Sequence, residues 1–179
     1  MLIIGVGTTG AGLARDLAMW GIECAVVESG DFGSGASGGN HGLLHSGARY
    51  VSTDQESAGE CRQESELLKK MAPQCIEDSG GLFVAVRGDD KDYAARFPGI
   101  CAECGIEAQE LSPARARELE PALSAETMAA YWVPDASVDP FRLCLDNLSQ
   151  AIDQGAVFLP MTRVEAMDTA DGLIRRVHL

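Results

Sequence analysis

Two groups of residues near the start of the chain have the types and spacing to do chemistry. The first is Gly5-Val6-Gly7-Thr8-Thr9-Gly10, preceded by the apolar run Leu2-Ile3-Ile4 and followed by a second apolar run that ends at Glu28. In a strand–turn–helix unit of this composition, Gly5 makes the tight turn, Gly7 admits a pyrophosphate against the backbone, and Gly10 lets the helix lie close on the strand. The amides that open the helix, Thr9 among them, point toward the phosphates. The positive end of the helix dipole holds negative charge there without a lysine. Glu28 follows roughly 20 residues on, where a carboxylate accepts hydrogen bonds from an adenosine ribose. The chemistry implied is dinucleotide binding.

The second group lies in residues 33–50, a loop of small and polar residues directly after the second apolar run. A ribose-binding glutamate serves nicotinamide and flavin dinucleotides equally. A long small-residue loop at this place favours FAD, whose pyrophosphate and ring system need close backbone approach. Ser37, Asn40, His41, Gly42 and Leu44 are the candidate contacts in that loop, and His45 is the candidate nearest the reacting end. His41 and His45 are four apart, but Gly42 and Gly47 oppose a helix and no third ligand stands nearby, so no metal site is read here.

The elements that must position these groups follow from periodicity. Residues 10–20 carry Leu13, Leu17 and Trp20 at helical spacing, and residues 24–27 read as a buried parallel strand, completing a βαβ unit. Thr53-Asp54-Gln55-Glu56 is a capping box for a helix to about residue 72. Strands are expected at 81–87 and 128–133, and a helix at 90–104 interrupted by Pro98-Gly99. Ser112-Pro113 opens a short helix ending near residue 120. After Asp139-Pro140, the residues Phe141, Leu145, Leu148 and Ile152 share one helical face that Gly155 closes, with Asp139 as N-cap. Asp135 and Asp139 flank the turn before this helix and are not read as a catalytic pair. A short strand at 156–159 precedes a hairpin, 163–170 and 173–179, turning at Asp171-Gly172. His178 is assigned no role.

Composition excludes several classes. With 46% hydrophobic and 23% charged residues in 179, the chain is globular, and no apolar stretch reaches membrane-spanning length. A formal net charge of −13 opposes nucleic-acid binding through the overall field. Six cysteines without a signal peptide point to reduced thiols and a cytoplasmic setting. Cys101 and Cys104 form the one CxxC pair, without the further ligands that a zinc or iron–sulfur site needs.

With these motifs in view, the chain resembles the FAD-dependent glycerol-3-phosphate dehydrogenases of the DAO superfamily, most closely the catalytic A subunits of the anaerobic bacterial enzymes. The resemblance rests on GVGTTGAG with Glu28, NHGLLHSGARY at 40–50, SAGEC at 57–61 leading into a helix, and VPDASVDPFRL at 133–143. It implies an α/β fold, a Rossmann-like FAD-binding domain with an inserted α+β substrate domain. The expected segments are 1–75 and 139–179 for the FAD-binding domain and 76–138 for the insertion. The resemblance further implies oxidation of sn-glycerol 3-phosphate to dihydroxyacetone phosphate by hydride transfer to the flavin. Arg49 and Tyr50 would face the substrate phosphate and flavin, together with His45, since a fixed guanidinium fork suits a dianionic phosphate.

Electrons would pass to a quinone through iron–sulfur and membrane-anchoring partner subunits, which would hold the protein at the inner face of the membrane. The pattern departs from the family in lacking the closing strand with its glycine–aspartate loop and a cysteine-rich domain. The chain is therefore expected to be an N-terminal piece of a longer protein, with the catalytic base beyond residue 179. Two alternatives stay open: a dehydrogenase of the L-2-hydroxyglutarate type, which shares a similar H-S-G loop, and a flavin-binding fragment without turnover.

Overall fold

The apolar run at the N-terminus forms β1 (Leu2–Ile4), followed by α1 (Thr8–Met19) and β2 (Ala25–Val27), in a computed structural model that describes residues 1–179. β1 and β2 pair in parallel, Ile3 opposite Val26, so α1 is the crossover of a βαβ unit. The buried stripe of α1 is Ala11, Ala14 and Ala18, whereas Leu13 and Trp20 are exposed. Of the helically spaced Leu13, Leu17 and Trp20, only Leu17 packs against this core, and the expectation is corrected for the other two. An alanine stripe lets the helix axis come closer to its neighbours than leucines would allow, so small side chains hold the buried side.

Residues 43–138 form a compact unit of their own. It begins with β3 (Leu43–Leu44), a 3₁₀ turn at Ala48–Tyr50 and α2 (Gln55–Met71). There follow β4 (Ile76–Glu77), β5 (Gly81–Val86), α3 (Lys91–Glu103), β6 (Gln109–Leu111), α4 (Pro113–Leu119), β7 (Thr127–Val133) and β8 (Ala136–Val138). Two antiparallel sheets result, ordered β3-β8-β4 and β5-β7-β6. Phe97, Cys101, Ile106, Tyr131 and Val133 form the core, joined by Ala48, Val51 and Ala58. These contacts tie residues 43–75 to this unit, whereas the sequence reading attached them to the first. The tie is made by β3 pairing on β8 and by Ala58 entering the core, neither of which has a local signal.

Two local expectations change. Asp54, not Thr53, is the N-cap of α2, its carboxylate accepting from the Ser57 amide at 3.0 Å and the Ser57 hydroxyl at 2.7 Å. SAGEC therefore lies inside the helix. α3 runs unbroken through Pro98, capped by Asp90.

The chain then returns with α5 (Pro140–Asp153), β9 (Val157–Leu159) and the hairpin of β10 (Ala166–Ala170) and β11 (Leu173–His178). β9 joins β2 in parallel, giving the sheet order β1-β2-β9, and residues 139–179 pack with 1–42 as the other compact unit. α5 buries Cys144, Leu148 and Ala151 against α1, while Phe141, Leu145 and Ile152 of the expected apolar face are about half exposed. Its buried stripe is rotated from the predicted one because α1 offers alanines, which receive the small Cys144 and Ala151. Asp171 and Gly172, both with positive φ (56° and 75°), turn the hairpin.

Candidate functional site

The turn after β1 depends on Gly5, whose φ of +96° lies in the left-handed region. A Cβ on Gly10 would overlap the Gly5 carbonyl oxygen, so the helix-to-strand approach tolerates no side chain there. A Cβ on Gly7 would sit 2.8 Å from the Ser37 hydroxyl oxygen. The N-cap of α1 is Gly7, which has no side chain to cap the helix, and the first turn carries no acid. The Thr8 amide donates to Ser37 Oγ at 2.9 Å, and Ala11 is the first amide to bond back, to Gly7, leaving the amides of Thr9 and Gly10 to open the helix. Such an end attracts an anion.

Glu28 stands at the end of β2 and does more than the sequence suggests. Its carboxylate accepts from the Gly30 amide at 2.8 Å and from the Val6 amide at 3.1 Å, stapling the glycine turn to the strand end. The Gly30 amide, and next the Val6 amide, hold its pKa below the ordinary carboxylate value. The Ser29 hydroxyl also donates to it at 3.4 Å, so of a carboxylate's about four acceptor positions about one is left for a ribose hydroxyl.

The loop from Ser29 to Gly42 is held from within and from α5. Asn40 donates to the Ser37 carbonyl at 2.7 Å and accepts from the Gly42 amide at 2.7 Å, so its side chain braces the loop. His41 is exposed. Gly33 and Gly38 surround the ring of Phe141: an added Cβ would come within 2.6 Å and 2.7 Å of it. The small-residue loop is expected to lie close to a cofactor, and at Gly33 and Gly38 the close neighbour is Phe141.

In the other unit, Leu44 lies in β3, half buried, paired with Ala136. His45, Tyr50 and Arg49 are brought together: the His45 and Tyr50 rings meet edge-on at 5.4 Å, and the Arg49 guanidinium carbon lies 5.5 Å from the centre of the Tyr50 ring. Arg49 is exposed. Next to His45 in sequence, Ser46 is held by Asp135, which is 5% exposed and accepts from the Ser46 amide at 2.6 Å and the Ser46 hydroxyl at 2.7 Å. Sequence reasoning missed this buried pair, since Asp135 is indistinguishable from a turn carboxylate until its partner is known. Cys101 is fully buried, and burial, with Cys104 adding to it, pushes its thiol up to about 11.

The sequence pattern of the FAD dependent oxidoreductase (DAO) family matches residues 1–178. The chain belongs to this family. It is 44% identical over 178 residues to the A subunit of the anaerobic glycerol-3-phosphate dehydrogenase of Haemophilus influenzae, covering 99% of this chain and 32% of that protein. It thus spans about a third of that relative's length. Among solved structures it is similar to L-proline dehydrogenase from P. horikoshii, with a TM-score of 0.81 and 26% identity over 98% of this chain and 47% of that one. The glycerol-3-phosphate dehydrogenase from Bacillus halodurans complexed with FAD superposes with a TM-score of 0.68 at 25% identity, covering 98% of this chain and 29% of that chain.

For a FAD dependent oxidoreductase the first unit offers a fitting donor set. The Thr9 and Gly10 amides that open α1, the Ser37 hydroxyl beside Gly7 and the Glu28 carboxylate match an anionic pyrophosphate and a ribose diol in charge and hydrogen-bonding sense. No helix is long and apolar enough to cross a membrane.

Proposed function

We propose that this chain is the FAD-binding and substrate-contacting part of a glycerol-3-phosphate dehydrogenase that oxidises sn-glycerol 3-phosphate to dihydroxyacetone phosphate. The observation that carries the reading is the α1 N-terminus, which has no acid in its first turn and stands beside Glu28 at the end of β2. When bound, FAD supplies the two-electron acceptor for hydride leaving C2 of the alcohol. Gly7, Thr9 and Gly10 hold the pyrophosphate by backbone amides and dipole, and Glu28 holds the ribose. Ser37, Asn40, His41, Gly42 and Leu44 shape the loop toward the flavin. Arg49 binds the substrate phosphate through its charged fork, and its stacking on Tyr50 limits the directions that fork takes. His45, backed by Tyr50, orients the substrate hydroxyl. The naming of the relatives as one lettered component of an enzyme supports partner subunits, which in this reading carry iron–sulfur clusters, anchor the enzyme to the membrane and pass electrons to a quinone.

The test is a spectrum and an assay on the purified full-length enzyme of which this chain is part. A flavin band near that of FAD, bleached by glycerol 3-phosphate and not by L-2-hydroxyglutarate, is the expected result. Absence of bound flavin, or bleaching by the hydroxy acid alone, overturns the reading.

A further inference from the structure

The Ser37 hydroxyl is joined to α5 by a chain of hydrogen bonds that runs through Thr8. Thr8 approaches Ser37 Oγ twice, with its amide at 2.9 Å and its hydroxyl at 3.2 Å. Thr8 Oγ1 also lies 3.3 Å from the Sγ of Cys144, which is 1% exposed. A threonine hydroxyl carries one proton. Once that proton is committed to Ser37, the thiol of Cys144 must be the donor to Thr8. Ser37 Oγ then accepts two hydrogen bonds from Thr8, and its own proton is directed away from both.

We infer that Cys144 and Thr8 are positioning residues that turn Ser37 into a hydrogen-bond donor for a pyrophosphate oxygen of the cofactor, with Phe141 holding the Ser37 loop in place. The inference rests on the FAD-binding reading above and extends it to residues outside the glycine motif. Phe141 and Cys144 lie one turn apart on α5. Phe141 fills the concavity of the loop at Gly33 and Gly38, and Cys144 reaches Thr8 at the head of α1. One helical turn thus sets the two segments that carry Ser37 and the α1 amides. Without the thiol proton, Thr8 can turn its hydroxyl toward Cys144's place or solvent, and Ser37 can donate back to Thr8. An acceptor lone pair would then face the phosphate, which repels it.

The test compares Cys144→Ser, Cys144→Ala and Cys144→Val in the purified protein, stripped of flavin and titrated with FAD. Serine keeps a donor and should bind FAD within about twofold of the unmodified protein. Alanine and valine should each weaken FAD by roughly tenfold, the loss of one oriented hydrogen bond. The ³¹P resonances of bound FAD add a readout that a packing role would not move: one phosphorus should shift with alanine and valine and return with serine. Phe141→Ala should weaken FAD more than Phe141→Leu, which still fills the loop. Thermal melting of the flavin-free variants checks that each is folded. Flavin bound equally by the serine, alanine and valine variants, with unchanged ³¹P shifts, would overturn the inference while leaving FAD binding itself intact. No flavin in the unmodified protein would instead defeat the reading beneath it.

Discussion

Tyr131 donates its hydroxyl to the carbonyl oxygen of Ala94 at 2.6 Å, deep in the core of residues 43–138. Ala94 lies four residues before Pro98, and its carbonyl is the acceptor that an amide at position 98 would have used. The phenol on β7 therefore replaces the bond that proline removes, and α3 continues where the sequence predicts a break.

The pair makes a double-mutant prediction. Tyr131→Phe leaves a buried carbonyl without its donor and should lower unfolding free energy by about 1–3 kcal/mol. Pro98→Ala restores an amide at that position, so the same Tyr131→Phe change should cost clearly less in the alanine background. Denaturant titrations of the four proteins decide it, and equal costs in both backgrounds would show that the phenol acts by packing alone. Burial, with Glu110 adding to it, raises the Tyr131 pKa. The stability tied to its neutral form is thus complete below pH ~10 and is lost as pH rises through the folded value. Tyr131→Phe should remove that alkaline loss.

Glu28 supplies the opposite pH dependence. Its folded pKa is depressed by the Gly30 and Val6 amides, so its contribution is present above the unfolded value of about 4.3 and declines as pH falls through the folded one. Glu28→Gln should flatten this acid limb in melting experiments between pH 3 and pH 6, ~3 units across the carboxylate range. It should also weaken FAD by about 1–3 kcal/mol at neutral pH. Unchanged FAD affinity would confine Glu28 to stapling the turn.

Arg49 is exposed yet stacked on Tyr50, so its removal should be felt by a ligand more than by the fold. In the full-length enzyme, Arg49→Ala should lower kcat/KM for glycerol 3-phosphate by roughly 30- to 1000-fold, with little change for unphosphorylated glycerol. Lysine should restore only part, because a point charge cannot reproduce the fork. Equal losses on both substrates would assign Arg49 to the flavin or the fold.

Asp135 holds Ser46, the residue after His45, through two bonds to one carboxylate oxygen. Asp135→Ala strands two buried donors and should destabilise by about 2–4 kcal/mol, more than Ser46→Ala, which strands no backbone amide. Urea titrations read the difference. A cost for Asp135→Ala no larger than for Ser46→Ala would mean that water replaces the carboxylate.

The cradle was legible in sequence because every part of it is local: Gly5, Gly7, Gly10 and Glu28 sit within one βαβ unit whose strands and helix have clear periods. What escaped depends on partners distant in sequence. Gly33 and Gly38 look like ligand space until Phe141 is placed against them. The strands β3, β4 and β8, two or three residues each, are too short for alternation to show. Both buried helix faces of the first unit were misread for one reason: hydrophobicity marks Leu13 and Leu145, but close packing of α1 on α5 selects Ala11, Ala14, Cys144 and Ala151.

The arrangement of the parallel sheet also dictates an order of assembly. β9, which flanks β2, and α5, which packs on α1, are both made after residues 43–138. At translation speeds of roughly 5–20 residues per second, the glycine turn emerges from the ribosome about 5–30 s before the helix that completes its surroundings. The intervening unit is contiguous and can finish folding during that wait. In the nascent N-terminus β1 and β2 can already pair, while the second edge of β2 and the alanine face of α1 wait for β9 and α5, so the surroundings of the glycine turn are completed only by chain made after the intervening unit.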